Sequence, residues 1–248
     1  MTRTRFAFLN HVAGRRAPRL VALGLAVLLA LVACSPSDAG TGVPAPALPS
    51  GVAAGGRPTP PPGATTSTGW LVTVYYNAVE QFHHGPPVPV TGCPAVNCVQ
   101  GHDDLGSHPK DFVDAVRTEG TGRLLDGRYL NWAYDTGFWL DQVPRGANGA
   151  ALRPFESAAA DPSTLAPGTP FVITNCGHAE QGRRVDPTGC RLLSAGRWTV
   201  ADELTPGLGG PHHVDLYVGD ETGQGFTDSR WYLTLFDATL AIGHARAG

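Results

Sequence analysis

Carboxylates, histidines and cysteines are the side chains in this 248-residue chain from which chemistry can be built, and their spacing sorts them. No serine lies in a G-x-S-x-G elbow, and no GxxxxGK[ST] or GxGxxG run joins a strand to a helix. An activated serine nucleophile and a phosphate cradle are therefore both unsupported. His83-His84 and His212-His213 are adjacent pairs, and neighbours on a strand point to opposite faces, so neither pair can chelate. Zinc-protease spacing is absent. What remains is carboxylate chemistry, organised in the C-terminal half around Asp161, Asp202 and Asp215. Asp215 stands inside the apolar strand pattern HVDLYVG, where an acid is costly unless it is exposed or functional. Strand alternation also allows it simply to face solvent. Asp161 precedes Pro162 and suits a turn or helix cap, and Asp202 beside Glu203 also suits a solvated loop.

The elements that must position these acids read as β-structure. Gly and Pro supply 54 residues, too many for a helical bundle. Strands are expected at Trp70–Tyr76, Tyr129–Tyr134, Phe171–Thr174, Arg197–Val200, Val214–Val218 and Tyr232–Leu235, with Gly and Pro between most of them. Asp111–Arg117 reads as a short helix stopped by Gly120, and residues 77–110 read as loop. The whole is an all-β or β-dominated barrel with long excursions.

The ends of the chain have other tasks. Residues 1–19 carry five Arg and no acid, and the apolar run Leu20–Ala33 follows. At about 1.5 Å per residue that run is too short to span a bilayer, so it is expected to be a secretion signal. Leu31-Val32-Ala33-Cys34 resembles the bacterial lipobox, which implies lipidation of Cys34 and an anchor in the membrane; an ordinary cleavable signal with an incidental Cys is the rival. Losing the five Arg leaves 13 basic and 21 acidic side chains, a net charge of −8 in place of −3. An acidic exported chain is not a nucleic-acid binder and does not adsorb to anionic headgroups by charge. Residues 35–68 hold eight Pro, six Gly and no aromatic residue, and are expected to be a disordered tether ahead of one domain at 69–248. Cys93, Cys98, Cys176 and Cys190 form an even set, expected as disulfides. Cys93–Cys98 with Cys176–Cys190 is the simplest of three connectivities. The alternative, a metal site with His83, His84 or His102, lacks any tight CxxC pair, and no cofactor is expected.

Three segments in order carry a resemblance: Ala160-Asp161-Pro162 through Gly168-Thr169-Pro170-Phe171-Val172-Ile173, then Trp198-Thr199-Val200-Ala201-Asp202, then His213-Val214-Asp215-Leu216-Tyr217-Val218-Gly219. They resemble the 3D (three-aspartate) domain shared by membrane-bound lytic transglycosylase A and small stationary-phase murein hydrolases. The likeness covers residues 156–219, weakens over 111–155, where Glu119-Gly120-Thr121-Gly122-Arg123 resembles a Gly-Thr-Gly segment, and is absent before 69. It implies a six-stranded double-psi β-barrel with its aspartates in one groove. It also implies cleavage of the MurNAc–GlcNAc β-1,4 bond of peptidoglycan, leaving a 1,6-anhydro ring. Asp215 matches the family's catalytic aspartate, with Asp202 and Asp161 as supporting carboxylates. Such a carboxyl must first protonate the glycosidic oxygen and then take the proton of the sugar's C6 hydroxyl, so its pKa must be raised.

One departure concerns the segment Glu203–Val214 (ELTPGLGGPHHV), which is about two residues longer than the family's loop and lacks its Lys. The expectation is thus an exported, monomeric lipoprotein that acts on glycan strands. A non-catalytic wall-binding barrel of the expansin or rare-lipoprotein type and a cysteine-stapled adhesin are the alternatives. Tyr217, Trp132 and Trp139 are aromatics for sugar stacking or for the core.

Overall fold

The structure, a computed structural model, describes residues 42–48, 56, 58–204 and 209–245. The expected signal peptide (1–33), Cys34 and most of the expected tether lie outside the described residues. In chain order the elements are β1 (Thr65–Val79), β2 (Pro87–Gly92), β3 (Asp103–Pro109), α1 (Lys110–Glu119), β4 (Thr121–Arg123), β5 (Tyr129–Ala133) and β6 (Gly137–Asp141). They continue with β7 (Ser157–Ala160), β8 (Pro170–Asn175), α2 (Pro187–Ala195), β9 (Trp198–Glu203), β10 (His213–Asp220) and β11 (Leu235–Ile242).

Period-two patterning builds the centre. In β1, Trp70, Val72, Val74, Tyr76 and Ala78 are buried in the main core and alternate with Thr73, Tyr75 and Asn77 on the other face. In β10, Val214, Leu216 and Val218 point inward and alternate with His213, Asp215 and Tyr217. Inward side chains of β7, β8, β9 and β11, including Ala158, Ile173, Trp198 and Leu240, close the core; burying each large one contributes ~1.5–3 kcal/mol.

The strands β1, β10, β7, β9, β8 and β11 pair in that order, and β11 returns to β1, closing a barrel. The pairings of β1 with β10 and of β7 with β9 are parallel, and the rest are antiparallel. Moving each barrel strand three places along the chain maps the ring onto itself with every pairing sense kept. That pseudo-twofold order is the double-psi arrangement expected from the sequence.

A second sheet grows from the end of β1, where Ala78 and Val79 pair in parallel with Gly122 and Arg123 of β4, followed by β5 and β6. Helix α1 lays Phe112, Val113 and Val116 against it. The approach is close: a Cβ at Gly122 would sit 2.5 Å from a Val116 methyl. The helix ends at Gly120, whose φ of +91° suits glycine and whose N–H donates to Val116.

The disulfides are Cys93–Cys98 and Cys176–Cys190, with Cα separations of 5.6 and 6.0 Å. The first lies beside β6, where the Cys93 N–H donates to Phe138 and its carbonyl accepts from Leu140. The second ties the end of β8 to α2. Among the described residues no three His, Cys, Asp or Glu side chains converge to hold a metal.

Three expectations are corrected. Residues 77–110 are not loop: β1 runs on to Val79, and β2 pairs with β3 as a hairpin. Its inward positions are only Val90, Leu105 and His108 among Pro, Gly and acids, too sparse to read as alternation. The last strand starts at Leu235, where Tyr232–Leu235 was expected, because residues 229–234 form turns around Trp231. The tether expectation also fails in part. Residues 65–68 belong to β1, and Thr65, Thr66 and Ser67 pair with Ile242, Ala241 and Leu240. Further upstream, the Val43 carbonyl accepts from Trp231 Nε1 at 2.9 Å, Pro44 accepts from Thr222 Oγ1, and Pro46 is buried. A proline-rich segment makes few internal hydrogen bonds and leaves its carbonyls free, and donors in the connection between β10 and β11 use them.

Candidate active site

The site follows from strand register on the outer face of the barrel. Thr73 of β1 lies opposite Asp215 of β10, Asp215 opposite Ala159 of β7, and Ala159 opposite Asp202 of β9. One lateral row across four strands therefore reads Thr73, Asp215, Ala159, Asp202. In this row the residue between the two acids is an alanine, whose side chain is a single methyl group. Ala159 also joins Tyr75, Leu152 and Tyr217 in a small apolar cluster on this face, with the Tyr75 and Tyr217 rings 5.3 Å apart.

Asp202 reaches this face through an irregularity. Trp198 and Val200 point into the core, so strict alternation would send Asp202 inward with them. The β7–β9 register slips by one between Ala158↔Val200 and Ala159↔Asp202, a bulge that leaves Ala201 unpaired. The bulge turns Asp202 outward. Its Oδ1 accepts from the N–H groups of Ala147 (2.7 Å) and Glu203 (2.8 Å), and its Oδ2 accepts from Tyr75 Oη (3.1 Å). Burial raises its pKa, and these three donors pull it back. Gly146 makes the Ala147 contact possible, since a Cβ there would lie 2.5 Å from Asp202 Oδ1.

Asp215 is held more sparingly. Its Oδ1 accepts from Thr73 Oγ1 at 2.7 Å. Burial, with the Asp202 charge added, pushes its carboxyl up to about 7 against the opposing hydrogen bonds of Thr73 and the Leu216 N–H. His213, two residues earlier on the same face, places Nε2 2.8 Å from Thr73 Oγ1 and Nδ1 3.0 Å from the Gly209 carbonyl. Glu119, at the end of α1, is a third carboxyl in the same field; burial and the Asp215 charge push it up to about 8, and the Tyr76 N–H and Tyr232 hydroxyl are its partners. Farther along, Asn77 Nδ2 donates to Tyr217 Oη and to Asp220, which pairs with Arg123 at 2.6 Å. The arrangement provides one carboxyl poised to carry or release a proton near neutrality, with the Asp202 carboxylate as its charged neighbour.

Of the three expected acids, the fold brings Asp215 and Asp202 to one lateral row on the same face of the barrel. Asp161 lies one residue beyond β7, in a turn of its own making: Oδ1 accepts from the Ser163 N–H and hydroxyl, and its carbonyl accepts from Thr164 and Leu165. That is the capping role its place before Pro162 allows. Tyr217 and Trp139 are core residues, 1% and 4% exposed, and not sugar platforms. Thr73, Tyr75 and Gly146 carry no mark in the sequence, His213 stood out only as one of an adjacent pair, and Glu119 only as the start of the Gly-Thr-Gly segment. The alternation in WLVTVYY placed Thr73 and Tyr75 on the face opposite the core, but no sequence signal showed what lay across from them.

No protein-family model matches the chain, and no curated relative matches it in sequence. Among solved structures, it is similar to Escherichia coli MltA with bound chitohexaose, with 14% identity, 72% of each chain covered and a TM-score of 0.43. It is similar to the membrane-bound lytic murein transglycosylase of Agrobacterium tumefaciens, with 14% identity, 72% of this chain and 76% of that one covered, and a TM-score of 0.43. It is also similar to MltA of Neisseria gonorrhoeae, with 12% identity over 71% and 72% and a TM-score of 0.40. The barrel architecture rests on this chain's own strand pairing.

Proposed function

We propose that this protein cleaves the MurNAc–GlcNAc β-1,4 bond of peptidoglycan without water, leaving a 1,6-anhydro ring. It acts as an exported monomer, lipid-anchored through Cys34 to the outer face of the cell membrane. The observation that carries this reading is the row Thr73–Asp215–Ala159–Asp202: the aspartate that matches the family's acid/base lies on one face with a second carboxylate, and an alanine stands between them in the row. The three aspartate segments of residues 160–219 support the same assignment.

Asp215 enters the reaction as a carboxylic acid, a state that a pKa of about 7 keeps well populated at neutral pH. Its proton goes to the glycosidic oxygen as the bond to the anomeric carbon breaks. The carboxylate left behind takes the proton of the C6 hydroxyl, whose oxygen closes on the anomeric carbon. The carboxyl is thus regenerated and no water is consumed. Asp202 supplies neighbouring negative charge, which keeps Asp215 protonated beforehand and favours the positive charge that develops on the sugar ring.

The test is incubation of the purified full chain with sacculi, followed by mass spectrometry of the soluble products. The expected outcome is anhydro-muropeptides from wild type and none from Asp215→Asn, with both proteins still sedimenting with sacculi. Reducing-end products would show hydrolysis instead. Sedimentation without release by wild type would leave a wall-binding barrel, and binding to a host protein but not to murein would leave an adhesin. Release unaffected by Asp215→Asn would remove Asp215 from the reaction.

A further inference from the structure

This face contains a chain of hydrogen bonds longer than the proposed cleavage requires. His213 Nδ1 faces the Gly209 carbonyl at 3.0 Å, and a carbonyl only accepts, so Nδ1 carries a hydrogen. In the neutral ring, Nε2 is then an acceptor, and it lies 2.8 Å from Thr73 Oγ1. Thr73 Oγ1 lies 2.7 Å from Asp215 Oδ1 and has one hydrogen to give. That hydrogen cannot serve both neighbours at once. When it points to Asp215, Nε2 of a neutral ring faces only lone pairs. When it points to His213, Asp215 Oδ1 faces a lone pair unless Asp215 itself carries a proton and donates it to Thr73.

We infer that Thr73 is a two-position switch and His213 a positioning residue for the acid/base, so that the Thr73 hydroxyl donates to His213 while Asp215 is protonated and turns to Asp215 once the carboxyl has given its proton away. In the first state the run of donors is Asp215 O–H to Thr73 Oγ1, Thr73 O–H to His213 Nε2, and His213 Nδ1–H to Gly209. In the second, Thr73 O–H stabilises the new carboxylate, and Nε2 is free to bind a proton from solvent. A relay form balances the same atoms: the Asp215 proton passes to Thr73 as the Thr73 proton passes to His213, giving carboxylate and imidazolium. Burial disfavours that charged form at both ends, lowering the His213 pKa as it raises that of Asp215, so the neutral pair is the resting state.

The other groups in the field are Asp202 of β9, Glu119 of α1, Tyr75 of β1, and Tyr232 before β11. The Asp202 charge opposes ionisation of Asp215 and the Asp215 charge opposes that of Glu119, but neither Asp202 nor Glu119 has the Thr73 hydroxyl as a partner. Tyr75 hydrogen-bonds to Asp202, and Tyr232 to Glu119. The switch is therefore specific to the path Asp215–Thr73–His213.

The inference rests on Asp215 being the acid/base for its catalytic meaning, while its geometry is testable without turnover. Histidine in the full chain is labelled with 15N, and the Nε2 shift of His213 is followed with pH. The expected result is a step in that shift at the ionisation of Asp215, lost in Asp215→Asn and in Thr73→Val and kept in Thr73→Ser. On sacculi, the alkaline limb of the rate profile falls by about one pH unit in His213→Phe, because Thr73 then donates only to the carboxylate. His213→Gln, whose amide oxygen can accept in place of Nε2, returns it to the wild-type position. No step in wild type, or one that persists in Thr73→Val, overturns the switch, as does a His213→Phe loss that is uniform across pH. A step present in a protein that releases nothing from sacculi overturns the proposed cleavage and leaves the switch standing.

Discussion

Two regions of this molecule bury carboxylates, and they treat them in opposite ways. At the junction of the barrel with the second sheet, Glu80 Oε1 accepts from His108 Nδ1 (2.7 Å) and Oε2 accepts from the Leu125 N–H (2.9 Å), while the other His108 nitrogen faces the Leu105 carbonyl. Close by, Glu221 Oε1 accepts from the Val79 N–H (2.6 Å) and from His83 Nε2 (2.7 Å), and Asp111 lies on the other ring nitrogen at 3.3 Å. Burial works against the His83 charge, but these two carboxylates prevail and raise its pKa. On the outer face, Asp215 has a hydroxyl, one backbone N–H and like charges for neighbours. A carboxylate surrounded by donors and a cation fastens strands together. One left short of donors beside other acids holds its proton instead and can spend it on chemistry.

The contrast breaks most visibly under Asp215→Asn. Loss of the acid/base is expected to reduce anhydro-muropeptide release by at least ~10³-fold, by product chromatography, while the denaturation midpoint at neutral pH does not fall. Glu80→Ala should do the reverse. It leaves His108 Nδ1 and the Leu125 N–H without their acceptor and is expected to remove about 3 kcal/mol of unfolding free energy in urea, with the rate per folded molecule near wild type. A large activity loss in folded Glu80→Ala would erase the distinction between the two regions.

Gly146→Ala sits between these extremes. The new Cβ would press on Asp202 Oδ1 and displace the Ala147 N–H from it, so the rate should fall roughly tenfold while unfolding free energy changes by only ~1 kcal/mol. The smallest effect concerns pH. A carboxyl raised from ~4 to about 7 on folding contributes most below its unfolded pKa, and that contribution is lost as pH rises through 7. Asn carries no such dependence. The Tm of Asp215→Asn relative to wild type should therefore climb by about 3 °C between pH 4 and pH 8, after allowance for solvent screening, and a flat difference would show that Asp215 is not strained by burial.

How much of this was legible in the sequence varies by element. The alternation in residues 70–76 and 213–218 was readable because each strand buries one face, and α1 announced its end at Gly120. The hairpin of residues 87–109 was not, since it buries too few apolar side chains to leave a pattern. The arm at residues 42–48 looked unfit for any contact, because the sequence counts its own missing aromatics and not the Trp231 indole N–H that donates to its Val43 carbonyl. Asp161 was placed with the other acids by order along the chain, and its own turn keeps its carboxylate occupied.

The sequence by itself determined which face of β10 carries Asp215, because a period of two admits no other reading once Val214, Leu216 and Val218 are buried. It also made the two disulfides the simplest pairing, since 5 and 14 residues are short loops to close. Only the tertiary structure decided that Asp202 joins Asp215. The bulge at Ala201 that turns it outward is set by pairing with β7, some forty residues earlier in the chain, and local alternation alone would have buried it in the core. Thr73, His213 and Glu119 became site residues for the same reason. Their chemistry depends on which group stands opposite, and closure of the barrel determines that.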